Sequence, residues 1–256
     1  IVTGGIETKG GRVGDPATYF KKCEKPRPGT INIILVLDTD MPPGVLARAL
    51  VTCTEAKTAA IQELMAGSHY STGLATGSGT DQTIVVANRE SPLYLDGAGK
   101  HSKLGELIGR VVMAAVKEAL DKQTGLCPAK QHNLLRRLQR FGVTSDTVWT
   151  AYQKVAGEKA VIKPVFLAAL ETLAASPSVV PYGVLYIHLL DEYLWQLLSP
   201  EETLRAAGQI LRLLPEAAAA VAPDLDGAPE KVMIPALETW LAAACAKRIT
   251  EEGEEA

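Results

Sequence analysis

The chain changes texture near its middle. Up to about residue 125, runs of β-branched and aliphatic residues alternate with glycine-rich polar turns; from Cys127-Pro128 onward the apolar residues recur at helical spacing only. The strongest strand signal is Ile31-Asn32-Ile33-Ile34-Leu35-Val36-Leu37, β-prone with little alternation, which predicts a strand buried on both faces. Ile1 to Ile6, Leu74-Ala75 and Thr83 to Ala87 predict further strands. Met41-Pro42-Pro43 opens a helix over about 43–66, with Asp38 and Asp40 as its expected caps and an apolar face of Leu46, Ala49, Leu50, Cys53, Ala56, Ala60, Ile61 and Leu64. A second stripe, Leu104, Leu107, Ile108, Val111, Val112, Ala115 and Ala119, predicts a helix that starts at His101-Ser102.

Strands near 74 and 83 lie too close in sequence for a parallel crossover, so the expected sheet is mixed and partly antiparallel. The fold class that follows is an α/β domain over 1–128 with flanking helices, then an all-α domain over 129–256. Its expected helices are Leu134 to Phe141, Asp146 to Val155, Val165 to Ala174, Val184 to Leu198, Glu201 to Val221 and Val232 to Lys247. Ser199-Pro200-Glu201-Glu202 carries a capping box, Gly142 and Gly157 end helices, Pro223 to Pro229 is a turn, and Glu251 to Ala256 is a frayed acidic tail. Tyr182, Tyr186, Tyr193, Trp195 and Trp240 read as packing, and His188 as a core residue.

Charge excludes one class of partner. Residues 1–128 hold 14 basic and 13 acidic side chains, the whole chain carries a net charge of −3, and its densest basic cluster, Arg136, Arg137 and Arg140, has no aromatic platform beside it. It reads as a solvated face, not a nucleic-acid site. No apolar run reaches the ~18 residues of a membrane helix. Cys23, Cys53, Cys127 and Cys245 have neither disulfide nor zinc spacing, which places the protein in a reducing cytoplasm. Since the chain opens inside a strand, further residues are expected ahead of Ile1.

Two polar knots carry the candidate chemistry: Thr76-Gly77-Ser78-Gly79-Thr80-Asp81 and Gly99-Lys100-His101-Ser102-Lys103-Leu104-Gly105-Glu106. A hairpin needs only two to five turn residues, so the first knot is over-equipped for a connector. Its glycines can aim backbone N–H groups at an anion or oxyanion, its hydroxyls are candidate nucleophiles, and Asp81 is a candidate base. His101, at a helix start where the dipole favours a neutral imidazole, is the leading candidate for proton transfer. Lys57 falls inside the apolar face of its helix, where a stem runs along buried surface into a cleft or snorkels out. Glu55 projects about 160° away around that helix, so the two serve different places. Asp15 in Gly14-Asp15-Pro16 and Asn32 are further polar candidates, with plain loop and strand roles as the alternatives.

These residues resemble a family. Ala75 to Asp81, Thr54-Glu55-Ala56-Lys57, and Lys100-His101-Ser102-Lys103 to Gly109, with Val2-Thr3-Gly4-Gly5, Gly14-Asp15-Pro16 and Gly29-Thr30-Ile31-Asn32 upstream, are similar to the adenosylcobinamide amidohydrolases of corrinoid salvage over residues 1–122. Ser102 stands where the family leads one to expect threonine. The resemblance implies hydrolysis of the amide joining aminopropanol to the corrin ring, with adenosylcobinamide or a related corrinoid as substrate and no cofactor required. On this reading His101, Lys57, Lys103, Glu106, Thr76 and Thr80 are the catalytic candidates, with Glu106 orienting His101. Asp15, Asn32, Glu55, Gly77, Ser78, Gly79, Asp81 and Ser102 are substrate-binding candidates. A corrinoid-binding module without hydrolysis, and an acyl or phosphoryl transferase, are the rival classes; a homo-oligomer stays open.

Overall fold

A computed structural model describes residues 1–17, 29–214 and 225–254, without the side chains of 252–254. Cys23, the end of the helix expected to reach Val221, and Ala256 lie outside the described residues. The chain divides into two compact units, Ile1–Gln131 and His132–Ala256.

The first unit is built on a three-stranded mixed sheet in the order β1 (Val2–Gly4), β3 (Ile31–Leu37), β5 (Gln82–Ala87), with β1 antiparallel and β5 parallel to the central strand. A separate two-residue ribbon pairs β2 (Gly10–Gly11) with β4 (Gly77–Ser78). The expected mixed sheet is present, but for a different reason. Leu74 makes only an isolated bridge to Gly67, and the strand at 77–78 pairs with the glycines at 10–11 instead of forming a hairpin with β5.

Helices α1 (Pro43–Glu63) and α2 (Lys103–Thr124) pack together on one face of the sheet. There Ile31, Ile33, Leu35 and Leu37 meet Ala49, Cys53, Ala56, Ala60 and Ile61 of α1 and Ile108, Val112, Val116 and Leu120 of α2. The central strand is therefore buried on one face only. Ile34, Val36, Ile84 and Val86 point to the other side, Val36 with 65% exposure, because no described helix of the unit covers that face. The sequence misled here because both faces are aliphatic, which hides the alternation of a half-buried strand. β1 covers the neighbouring edge of β3 only as far as Ile34, which exchanges two 2.9 Å hydrogen bonds with Ile1.

Both helical stripes are shifted from expectation. Leu50 is exposed on α1, and Leu107 and Val111 are exposed on α2, whose buried line runs through Gly105, Ile108, Val112, Val116 and Leu120. Asp38 and Asp40 do not cap α1: the N-cap is Pro42, Asp38 accepts from Asn88 Nδ2 at 2.8 Å, and the Asp40 backbone bonds Leu93 and Leu95. Proline at the first turn needs no side-chain cap, since its missing N–H is one the helix leaves unpaired anyway.

The second unit contains only helices among its described residues. Those of three or more turns are Ser145–Ala156, Lys163–Ala174, Val180–Leu194, Pro200–Leu213 and Pro229–Glu254, around a core that includes Tyr152, Phe166, Tyr186 and Trp240. The capping box at Ser199 and Glu202 is present, and Gly142 and Gly157 terminate helices at positive φ. Four expectations need correction. Val180–Leu194 starts a turn earlier than Val184, because Pro181 suits its first turn. The final helix continues through the supposed acidic tail to Glu254. His188 is 52% exposed and pairs with Glu192 at 3.2 Å, one turn on, so it is not core. Arg140 is not solvated either: its guanidinium grips Asp191 through two bonds of 2.7 and 2.5 Å, each side chain only 4% exposed. Cys53 and Cys245 are buried, Cys127 half-buried, and no disulfide joins described residues.

Candidate active site

The ribbon of β2 and β4 is short because glycine permits backbones to approach where a side chain would block them. At Gly77 a Cβ would sit 2.1 Å from Asp81 Oδ2 and 2.7 Å from Lys57 Nζ. Only glycine lets the turn wrap so tightly around this ion pair. Lys57, fourteen residues into α1 on its buried face, reaches Asp81 Oδ2 at 2.5 Å, with the two side chains 11% and 12% exposed. The same carboxylate accepts from Ser78 Oγ at 2.6 Å, Ser78 N at 3.0 Å and Ile31 N at 3.0 Å. Four donors converge on Asp81, so its charge is well compensated although it is nearly buried. Cys53, one turn before Lys57, has its thiol pKa pushed up by burial despite the nearby ammonium, and it remains a packing residue.

The other hydroxyls of the first knot fasten it in place. Thr76 Oγ1 accepts from Val13 N at 2.9 Å, and Thr76 O accepts from Thr58 Oγ1 at 3.3 Å. Thr80 Oγ1 donates to Gly29 O at 3.3 Å, and Thr80 O accepts from Thr30 Oγ1 at 2.8 Å. Asn32 lies on the open face of the sheet, 3.4 Å from Thr3 Oγ1.

Through the ribbon this knot adjoins a second carboxylate centre. Asp15 accepts from Ser68 Oγ and Ser71 Oγ at 2.5 Å each and from Arg12 N at 2.7 Å. Burial raises its pKa, but the bonds from Ser68, Ser71 and Arg12, with the Arg12 charge, outweigh burial and leave it below the ordinary aspartate value. A depressed carboxylate stabilises the fold fully above the unfolded pKa of ~3.9, and that contribution is lost as pH falls through the lower folded value. The thermal stability advantage of wild type over Asp15→Asn is therefore expected to be constant near neutral pH and to shrink below pH ~4, as melting curves across that range will show. Ser68 and Ser71 were missed as candidates because 53 and 56 residues of sequence separate them from Asp15, and Arg12, three residues away, because it binds through its backbone N–H, which no side-chain pattern reveals.

The second knot is a strap closed onto the start of α2. Ser102, not His101, is the N-cap: its Oγ accepts from Gly105 N at 3.0 Å and lies 2.8 Å from the Gly99 carbonyl, to which it donates. A Cβ at Gly105 would come within 1.9 Å of that same carbonyl, which explains the glycine inside a helix. Thr52 of α1 donates to Ala98 O at 2.7 Å, and Glu55 pairs with Lys100 at 2.8 Å. His101 is exposed beside the cap. Glu106 does not orient it. That carboxylate is held by Lys103 at 2.7 Å and Arg110 at 3.6 Å, which lower its pKa through the Lys103 hydrogen bond and charge first.

Helix α1 thus holds both knots, Lys57 reaching the first and Glu55 the second, as their opposed directions on the helix require. No hydrogen bond among the described residues joins His101, Ser102, Lys103 or Glu106 to the Gly77–Asp81 turn. Beside the strap, a cleft of about 560 Å³ runs between α2 and the C-terminal half of β3, with Leu35, Leu95, Leu104, Leu107 and Val111 in its walls and Ser102 and Lys103 at its lip. The exposed Leu107 and Val111 belong to this cleft. No group of three potential metal ligands occurs among the described residues, and no described helix is long and apolar enough to cross a membrane.

Fold and site together define an α/β unit whose buried ion pair and polar groups are gathered on glycine turns, followed in the chain by a helical unit. The chain belongs to the adenosylcobinamide amidohydrolase family (CbiZ), whose model matches residues 1–128, and that family name is a hydrolase's. An uncharacterized protein of Methanocaldococcus jannaschii, MJ1613, is 40% identical over 137 residues, covering 48% of this chain and 53% of that protein. The chain thus spans about half the length of this curated relative. No solved structure matches it significantly.

Proposed function

We propose that the protein hydrolyses adenosylcobinamide at the amide joining aminopropanol to the propionyl side chain of the corrin ring, releasing adenosylcobyric acid and aminopropanol in corrinoid salvage. The observation that supports this most directly is the Asp81 carboxylate, which binds the Lys57 ammonium and the Ser78 hydroxyl proton at once, inside the segment matched by the family. Amide hydrolysis needs an oxygen nucleophile, a group to take its proton, and donors for the tetrahedral oxyanion. The turn 77–81 has a candidate for each. As proposed, the reaction consumes water and needs no cofactor.

The test is incubation with adenosylcobinamide, without added metal or nucleotide, followed by mass spectrometry for both products. Release by wild type is expected; binding of the corrinoid without release would overturn the reading in favour of a carrier. His101→Ala, run alongside, separates two roles for the exposed imidazole. A fall in kcat of about tenfold or more puts the ring at the reacting atoms, whereas a rise in KM alone puts it at substrate binding.

A further inference from the structure

Three hydroxyls stand in the turn 76–80, and their hydrogen bonds tell them apart. Thr76 Oγ1 is occupied by the Val13 N–H, and Thr80 Oγ1 by the Gly29 carbonyl, so each ties the turn to a neighbouring segment. Ser78 Oγ also accepts a backbone N–H, from Thr80 at 3.3 Å, but it alone donates to a carboxylate, Asp81 Oδ1 at 2.6 Å, whose other oxygen is held by Lys57 at 2.5 Å. Ser78 is only half-buried, and the residue after it is exposed. A Cβ at Gly79 would meet no atom within 4 Å, and its backbone N–H has no acceptor among the described residues. Open space and a free donor therefore lie directly beside the one hydroxyl that has a base.

We propose that Ser78 is the nucleophile of the amide hydrolysis, that Asp81 carries its proton, and that Lys57 is a positioning residue acting through Asp81. This rests on the amidohydrolase reading above. Ser78 Oγ bonds to the amide carbonyl carbon while its proton passes to Asp81 Oδ1, and the carbonyl π pair moves onto oxygen, where the Gly79 N–H can bind it. The hydroxyl becomes acidic as the new C–O bond forms, and its proton then moves along a hydrogen bond already made. Collapse of the intermediate breaks the C–N bond, Asp81 returns the proton to the leaving nitrogen, and the acyl group stays as an ester on Ser78. Water then adds to that ester, giving a proton to Asp81. The ester C–O bond breaks, Ser78 Oγ recovers the proton, and the acid leaves. The sum is amide plus water giving acid plus amine.

The deciding experiment is an acid quench during turnover of adenosylcobinamide, with peptide mapping of the adduct, repeated with hydroxylamine as a competing nucleophile. Wild type is expected to carry the substrate minus aminopropanol on Ser78 and to yield the hydroxamate. Ser78→Ala is expected to lose kcat by about a thousand-fold or more and to give no hydroxamate. Ser78→Thr, which keeps a hydroxyl, retains adduct and hydroxamate. Lys57→Ala lowers kcat with KM within about threefold, and added methylamine restores part of the loss, which a purely structural role would not allow. Should wild type release amine while a folded Ser78→Ala does the same within about threefold, and no hydroxamate forms, the nucleophile assignment falls and the hydrolase reading stands. If Ser78→Ala does not fold, the position of the wild-type adduct decides, and an adduct elsewhere overturns the proposal. If wild type releases no amine, both readings fall.

Discussion

Replacing Asp81 with alanine is expected to lower the unfolding free energy of the first unit by about 3–5 kcal/mol, the range for breaking a nearly buried ion pair from one side. Lys57 would lose its counterion in a site only 11% exposed, and the Ser78 N–H, Ser78 hydroxyl and Ile31 N–H would lose their acceptor together. Asp81→Asn is nearly as costly, because one amide oxygen cannot serve four donors and its NH₂ would face the ammonium. Lys57→Met is milder, since the remaining carboxylate keeps three donors and the unbranched chain refills the space. Thermal and urea melts of the three variants check this ranking. Equal stability of Asp81→Ala and wild type would mean that the pair is open to water.

In the second unit, Arg140→Ala is expected to cost about 3–5 kcal/mol for the same physical reason. Its guanidinium makes a bidentate pair with Asp191 and lies 4.3 Å from the centre of the Phe141 ring. Truncation strands a carboxylate on the helix Val180–Leu194 and removes the alkyl stem that fills the space beside it. Arg140→Lys recovers only part of the loss, because an ammonium cannot reproduce the two parallel bonds. A double-mutant cycle with Asp191→Asn measures the pair itself, and a coupling below about 1 kcal/mol would assign the loss to packing instead.

These two ion pairs also show what can be read from a sequence and what cannot. Lys57 stood out because a charge inside an apolar helical face must go somewhere, and its opposition to Glu55 followed from the turn of a helix. Its destination did not, since Asp81 is 24 residues away and is brought there by a glycine ribbon paired with residues 10–11. Arg140 was misread for the same reason: its partner lies 51 residues on, and an arginine cluster with a distant partner looks like a solvated one. The start of α2 was legible from its local spacing. The strap that closes it was not, because the contact of Gly105 with Gly99 depends on backbone approach, which leaves no pattern of polarity. Among the candidate site residues, those linked by helix geometry were the ones that could be placed; those linked by turns were recognised as polar but not assigned partners.

The aliphatic face of the sheet opposite α1 and α2 bears on how the protein behaves in concentrated solution. Ile34, Val36, Ile84 and Val86 form an exposed aliphatic patch there with no charged side chain among them, and such a patch favours contact between molecules. A net charge of −3 on 256 residues supplies little mutual repulsion to compensate. Self-association through this face is expected to grow with concentration even while every molecule remains folded, which light scattering over a dilution series checks. Shelf life is then set by crowding in the tube before it is set by unfolding, and a lysine placed at Val36 is the smallest change that would separate the two.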